Sequence, residues 1–245
     1  MEERPAVVLV PGYLGSPPMY APMAARLLAR GAAAVTVAPI WTPDWLLATV
    51  TGLGPLMRRT ARAIADAYRH AGNRPVLLIG HSAGGLVARL ATSAEPFQGH
   101  LGGVAAAVGT LVTLGTPHVV GETARHWFRA GYDACRFLDA NIPGAWFAPR
   151  MGYVTVGSRL IKSGPLYALL GSETARSGWG DGLILEAGSH LAGARNLIID
   201  GLIHAPGLPT SWYGSDEGLD GWWELAVEAW LAALETRRTM PSKAR

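Results

Sequence analysis

The sequence predicts a single α/β domain, built on a mainly parallel sheet with helices on both of its faces. Short apolar runs alternate with longer segments whose apolar residues recur at helical spacing. Hydrophobic residues make up 49% of the chain and charged residues 16%, so a large core can be buried. No internal repeat or linker divides the 245 residues, and we therefore expect one domain over residues 1–245.

Six apolar runs are predicted as strands, and turn residues bound most of them. The first, AVVLV, ends at Pro11-Gly12, and the third, in RPVLLIG, runs directly into a glycine. Trp41 and Trp45 are assigned to an aromatic loop after the second strand. The predicted strands cover residues 6–10, 33–40, 74–80, 110–117, 152–158 and 195–201, and the predicted helices cover 17–30, 55–71, 82–93 and 220–238.

The composition argues against several function classes. The net charge is only +3 and the basic residues are scattered, which is typical of a solvated surface and not of a nucleic-acid partner. Cys135 is the one cysteine, which excludes an internal disulfide and a four-cysteine zinc site. No apolar stretch reaches the ~18 residues of a membrane span. We expect a cytoplasmic protein, with contact to a membrane surface and the oligomeric state left open.

One serine stands between two glycines directly after the third strand. Gly80-His81-Ser82-Ala83-Gly84 matches the pattern G-x-S-x-G, with a strand before it and a helix after it. Such a turn strains the serine backbone and presents the hydroxyl at a helix N-terminus, where the dipole favours negative charge. A phosphate-binding loop is excluded because no lysine lies near the turn. Ser82 is a candidate nucleophile, and a plain small-residue turn is the alternative.

A serine nucleophile needs a base, and His204 is the first candidate. It lies four residues past NLIID, the apolar run of the sixth strand, so it emerges at the sheet edge that carries Ser82. His118 follows the fourth strand on the same edge and is an alternative base or a pocket residue. His190 precedes the sixth strand and is a weaker rival, while His81 is expected to point away from the nucleophile.

Asp181 is the first candidate for the acid that orients the base. It stands in the glycine-flanked loop GWGDGLI after the fifth strand. The chain order is then Ser82, Asp181, His204, which is the order of nucleophile, acid and base in α/β-type serine hydrolases. Asp139 and Asp133 are alternatives, because an acid can also follow the preceding strand.

The turn after the first strand is the expected oxyanion site. Gly12 in VLVPGYLGSP lets the backbone direct its amides towards the serine. We expect the backbone N–H groups of Tyr13 and Ala83 to be the donors. A simple Pro11-Gly12 turn is the alternative.

Residues 119–150 are rich in aromatic residues and lack a strand pattern, so a small helical cap is predicted there. Six aromatic side chains over a sheet edge are more than one connecting helix usually needs. We expect them to roof an apolar acyl pocket, although each could pack in the core instead. Trp127, Phe128, Trp146 and Phe147, together with Leu14 and His118, are the candidate pocket residues.

The motifs resemble those of the α/β-hydrolase superfamily, and specifically its lipase-like members. GHSAGGLVARL is similar to the lipase elbow, and LGTPH and GDGLI occupy the places of a Thr-Pro-His turn and of the acid's Asp-Gly pair. The stretch GSHLAGARNLIIDGLIHAPGLPTSWYGSDEGLDGWW resembles lipase-like cyanobacterial and plastid hydrolases that are distantly similar to GPI inositol deacylases. The resemblance spans roughly residues 5–232. The chain departs from it by carrying Pro11 where many lipases have a histidine.

This resemblance and the three candidate residues together predict a serine ester hydrolase of the lipase or carboxylesterase type. Its substrate would be a small-molecule or lipid ester, cleaved through an acyl-enzyme without a metal or cofactor. A thioesterase or acyltransferase would use the same residues. A non-catalytic ligand-binding protein of the same fold is the opposing hypothesis, because fold alone does not decide function.

Overall fold

The computed structural model describes residues 3–162, 178–207 and 210–240. Six strands form one sheet in the order β2-β1-β3-β4-β5-β8, and every neighbouring pair is parallel. A separate antiparallel pair, β6 and β7, follows β5. The strands are β1 Ala6–Val10, β2 Ala34–Val37, β3 Val76–His81, β4 Val108–Leu114, β5 Gly152–Arg159, β6 Ile161–Lys162, β7 Trp179–Gly180 and β8 Arg195–Asp200.

Helices cover both faces of the sheet, so there are two apolar layers. Alternate residues of one strand enter opposite layers: Val8 of β1 packs in the first and Val7 in the second. The first layer is closed by α2, α3, α4 and α6, and the second by α1 and α8. The helices are α1 Pro17–Ala29, α2 Thr42–Thr51, α3 Gly54–His70, α4 Ala83–Thr92, α5 Ala124–Trp127, α6 Arg129–Asn141, α7 Asp216–Asp220 and α8 Trp223–Thr239.

The order of strands reverses between β1 and β3. From β1 the chain crosses to β2 on one side, and from β3 it proceeds through β4 and β5 on the other. The loops that leave β1 and β3 therefore diverge and open a crevice at the carboxyl edge of the sheet, where α/β proteins bind ligands. Tyr13 follows β1 and Ser82 follows β3, so both lie at this crevice.

The predicted fold class is confirmed, with two local corrections. The second strand was expected over 33–40 but is paired only over Ala34–Val37, where it lies beside its one partner, the short strand β1. The expected aromatic loop around Trp45 is instead the helix α2. Pro43 stands in its first turn, and the Asp44 carboxylate accepts the Trp41 N–H at 2.9 Å, which caps the helix.

The segment expected as a small helical cap, residues 119–150, contains α5 and α6. Helix α6 is the crossover between β4 and β5 and packs Ala134 and Leu138 into the first core layer. Only the segment before it, with α5, lies at the edge that carries Ser82. Among the described residues, no helix is long and apolar enough to cross a membrane.

The expected pocket residues Trp146 and Phe147 lie in the segment just before β5. In a parallel sheet a connection leaves one edge and must return to the opposite edge before the next strand begins. The carbonyl of Arg150, just before β5, accepts Arg237 Nε at 2.6 Å, and the same guanidinium binds the Ala106 carbonyl before β4. Both aromatic residues therefore lie near the amino ends of the strands, away from Ser82.

Candidate active site

Ser82 sits on a strained turn between β3 and α4. Its φ and ψ are 53° and −131°, a conformation that non-glycine residues rarely adopt. Glycines permit the tight approach around it. A Cβ on Gly80 would stand 2.4 Å from the Gly85 Cα, and a Cβ on Gly84 would stand 2.3 Å from the Pro11 carbonyl oxygen. The glycines of the motif therefore let this strand-to-helix turn, the elbow, pack closely against α4 and against the turn after β1.

Ser82, His204 and Asp181 form one chain of hydrogen bonds. Ser82 Oγ lies 2.9 Å from His204 Nε2, and His204 Nδ1 lies 2.7 Å from Asp181 Oδ2. The carboxylate accepts from Nδ1–H, which leaves Nε2 to accept from the serine hydroxyl. Asp181 is fully buried, and Ser82 and His204 are each 7% exposed. The structure thus brings together the three residues singled out from the sequence.

The Asp181 carboxylate is surrounded by donors. Oδ1 accepts the N–H groups of Leu183 at 3.0 Å and Ile184 at 2.7 Å, and Oδ2 also accepts the Tyr213 hydroxyl at 2.7 Å. Burial by itself would raise the pKa of Asp181. The charge of His204 and its hydrogen bond outweigh burial, with help from Ile184 and Tyr213, and hold the pKa below its usual value. Asp181 is therefore ionised and fixed in orientation.

The turn after β1 packs directly against the elbow. A Cβ on Gly12 would stand 2.9 Å from the Ser82 Cβ, so the backbone of this turn is in contact with the serine. The backbone N–H groups of Tyr13 and Ala83 donate no hydrogen bond to any of the described residues. These two amides are available to an incoming oxygen beside Ser82.

A second buried chain of hydrogen bonds, which the sequence did not indicate, runs through His81. The His204 carbonyl can only accept, so His81 Nε2 at 2.9 Å carries the proton. His81 Nδ1 then accepts from the Tyr20 hydroxyl at 2.7 Å, and Tyr20 accepts the Gly12 N–H at 2.8 Å. The His81 side chain thereby joins the turn after β1 to the loop that carries His204.

The architecture and the elbow together decide the fold family. A six-stranded parallel sheet carries a strained serine after β3, an acid after β5 and a histidine after β8. The chain has the α/β-hydrolase fold. A family model described as the PGAP1-like alpha/beta domain matches residues 55–131, which include the elbow. The sequence matches no curated protein.

Solved structures with this fold agree over nearly the whole chain. The mature lipase BlEst2 of Bacillus licheniformis is 17% identical, with a TM-score of 0.62 over 93% of this chain and 92% of its own. Esterase 2 of Thermogutta terrifontis is 14% identical, with a TM-score of 0.53 over 97% and 84%. Tomato methylketone synthase I in complex with 2-tridecanone is 10% identical, with a TM-score of 0.50 over 96% and 99%.

His118 is held in the protein interior by hydrogen-bonding contacts to side chains of α4 and β4. Its Nδ1 lies 3.3 Å from Arg89 Nη1 and its Nε2 lies 2.9 Å from the Thr113 hydroxyl. Arg89 also donates to the Ile142 carbonyl at 3.0 Å. Both ring nitrogens of His118 are therefore engaged by side chains of the protein, and the residue is buried. The structure thus places this expected pocket residue among buried polar groups beneath α4.

Two of the remaining pocket candidates lie beside the turn after β1. The ring centroid of Phe128 is 6.4 Å from that of Tyr13, and both line a cavity of about 520 Å³ with Trp45 and Leu53. Leu14 is exposed, with a φ of 60°. The side chain of Trp127 lies outside the described residues.

The rival acids and bases lie apart from the bonded chain. His190 is exposed, and so is Asp139 on α6. Asp133 pairs with Arg129 at 3.7 Å. In the described ranges, no cluster of three or more His, Cys, Asp or Glu side chains could hold a metal ion.

The buried histidines make the stability of the protein depend on pH. Burial, followed by the charge of His204, lowers the pKa of His81 to about 3. The unfolded chain takes up this proton near pH 6.5, whereas the folded protein does so only near pH 3. Stability is therefore lost as the pH falls below about 6.5. His118 acts in the same direction, since burial and the Arg89 charge lower its pKa well below the usual value.

We expect the free energy of unfolding, measured in urea, to fall between pH 7 and pH 5, with about 2 kcal/mol of that fall due to His81. His81→Gln should reduce the fall, and His190→Gln, at an exposed position, should not. An equal fall in all three proteins would contradict the assignment.

Proposed function

We propose that this protein is a serine ester hydrolase in which Ser82 is the nucleophile. The observation that carries the proposal is the buried chain of hydrogen bonds from the Ser82 hydroxyl through His204 to Asp181, at the apex of a strained turn. A pure ligand-binding protein has no need of an aligned serine, base and acid. The esterase and lipase with the same fold are consistent with this activity.

The acylation step uses the Ser82 hydroxyl against the ester carbonyl carbon. As Oγ forms the new bond, its proton passes to His204 Nε2, and the carbonyl oxygen becomes an oxyanion. The Tyr13 and Ala83 N–H groups donate to this oxyanion. Asp181 stabilises the imidazolium that forms and keeps its ring in place. When the tetrahedral intermediate collapses, the alcohol oxygen leaves with the proton from Nε2, and the acyl group stays on Ser82.

Deacylation repeats the same transfers with water. His204 Nε2 takes one proton from a water molecule whose oxygen attacks the acyl carbonyl. The second tetrahedral intermediate collapses, the bond to Ser82 Oγ breaks, and the serine recovers its proton from Nε2. The products are a carboxylic acid and the free enzyme.

The acyl chain is assigned to the cavity beside Tyr13. Its apolar wall is formed by Tyr13, Trp45, Leu53 and Phe128, and the first of these belongs to the turn that would hold the oxyanion. A volume of about 520 Å³ lies in the range of small-molecule sites. In this proposal, residues of α2 and Phe128 form the acyl pocket.

We expect a fluorophosphonate probe to label Ser82, as located by peptide mass spectrometry, and p-nitrophenyl esters to be hydrolysed. Ser82→Ala should abolish labelling and lower kcat by several orders of magnitude, because the nucleophile is lost. His204→Ala should be similarly inactive, and Asp181→Asn should lose a large factor in kcat. His190→Ala and Asp139→Asn serve as controls at exposed positions and should retain activity. Labelling of another serine would refute the proposal.

We also expect kcat/KM to rise from acetyl to medium-chain p-nitrophenyl esters, since each buried CH₂ contributes roughly 0.8 kcal/mol. Thr49 lines the cavity and its side chain is exposed. Thr49→Trp should narrow the cavity and remove the preference for longer chains while acetate turnover persists. Thr51→Trp, on the same helix but outside the lining, is the matched control. A steady fall in kcat/KM beyond acetyl in the unmodified protein would contradict the assignment.

A further inference from the structure

A group of exposed apolar side chains lies on the turn after β1 and along α2. We call it the α2 surface. Its six large apolar side chains are between 40% and 87% exposed, with Val50 the most exposed. Its members are Tyr13, Leu14, Trp41, Leu46, Leu47 and Val50.

The α2 surface is one continuous unit. The Thr42 hydroxyl at the start of α2 donates to the Leu14 carbonyl at 2.8 Å, which joins the helix to the turn after β1. The Tyr13 ring packs edge-on against Trp45, with 5.9 Å between the ring centroids. The patch is therefore joined directly to the turn that carries the proposed oxyanion donor.

Helix α2 is apolar on the side that faces solvent as well as on the side that faces the core. Trp45 and Ala48 are buried in the first core layer, whereas Leu46, Leu47 and Val50 are exposed. Asp44 is the one charged residue in this helix. Its carboxylate is bound by Arg59 at 2.6 Å. A contiguous uncharged apolar patch of this kind marks an interaction surface.

Cationic side chains lie beside this patch. Arg125 and Arg129 line the cavity that Thr49 of α2 also lines, and both are exposed. An apolar helix face flanked by arginines matches a lipid surface that presents acyl chains beneath anionic headgroups. A protein seated on Tyr13 and the cavity would cover the proposed site, whereas a lipid surface would supply it with esters.

We propose that the α2 surface docks on an anionic lipid surface. Leu46, Leu47 and Val50 enter the acyl-chain boundary, and Arg125 and Arg129 lie at the level of the phosphates. The ester then reaches Ser82 from the lipid side, a step that rests on the proposed function. The docking itself does not, and it is tested in protein that cannot turn over.

The test is co-sedimentation of Ser82→Ala protein with vesicles of phosphatidylcholine, with or without phosphatidylglycerol. We expect binding to vesicles that contain phosphatidylglycerol, weakened at least tenfold by Leu47→Ser with Val50→Ser. Arg125→Ala with Arg129→Ala should remove the preference for the anionic lipid. Leu28→Ser, an exposed apolar position on α1, is the matched control and should bind normally.

The outcomes separate the docking from the chemistry. With Ser82 intact, the Leu47→Ser, Val50→Ser protein should hydrolyse p-nitrophenyl butyrate as the unmodified protein does. Vesicle binding that these changes leave intact overturns the docking proposal, and so does a dimer that they dissociate in analytical ultracentrifugation. Normal docking with no ester turnover in any protein supports the docking and refutes the proposed function.

A different observation, the buried chain through His81, carries a second inference. It connects the Gly12 N–H, the Tyr20 hydroxyl, the His81 ring and the His204 carbonyl by contacts of 2.8, 2.7 and 2.9 Å. Because the His204 carbonyl can only accept, donor and acceptor are fixed in each of these hydrogen bonds. Its two ends are the turn that carries Tyr13 and the residue proposed as the base.

We infer that His81 and Tyr20 are positioning residues that hold the oxyanion turn and the base loop in register with Ser82. His81, which stands between Gly80 and Ser82, would thereby help to align the base with the serine without touching the substrate. The effect on turnover rests on the proposed function. The alignment of His204 with Asp181 is observable without turnover.

Tyr20→Phe and His81→Leu should lower kcat for p-nitrophenyl butyrate at least tenfold with little change in KM. His81→Gln, which can still donate and accept, should recover part of the loss. Tyr153→Phe changes another buried tyrosine, one whose hydroxyl lies near the Phe147 N–H, and should leave kcat unchanged.

The second measurement is the low-field proton resonance of the His204–Asp181 hydrogen bond, identified by its loss in Asp181→Asn. Tyr20→Phe and His81→Leu should shift or broaden it. An unchanged resonance in both variants overturns the inference, even if they lose thermal stability. A shifted resonance in a protein without turnover supports the positioning role and counts against the proposed function.

Discussion

The strained backbone of Ser82 is the constraint on which the rest of the site depends. A non-glycine residue at a φ of 53° costs about 1–3 kcal/mol and persists only where its surroundings hold it. Here the Ser82 N–H donates to the Leu114 carbonyl at 2.8 Å, and the chain continues directly into α4. Because Gly84 has no side chain, the carbonyl of Pro11 can lie against the elbow. The turn after β1 is thereby kept beside the serine.

Burial gives the polar groups around Ser82 their importance. In a dry site an unpaired donor or acceptor is costly, so each hydrogen bond restricts the orientation of its neighbours. Asp181 receives bonds on both carboxylate oxygens, and this keeps it ionised and oriented towards His204. His81 bonds the backbone of the same histidine from the other side. The base is thus held by its ring and by its main chain.

The sequence by itself determined the succession of strands and helices along the chain and the identity of the bonded residues. Apolar runs such as AVVLV have the length and composition of buried strands, and their alternation with helices leaves a parallel sheet as the simple solution. The G-x-S-x-G pattern located Ser82 because only glycine tolerates so close a backbone approach. Asp181 and His204 followed from their places after the fifth and sixth predicted strands, because parallel strands end at one edge. Their catalytic roles remain a proposal.

Only the tertiary structure decided which side chains surround these residues. Trp146 and Phe147 were expected over the pocket, yet the chain had to cross to the opposite edge of the sheet before β5 began. His118 stands on the correct edge, but buried Arg89 engages it. The partners of His81 are distant in the chain, and no periodicity relates them to it. Local spacing encodes strands, helices and the elbow, whereas contacts between distant segments exist only once the sheet is closed by its helices.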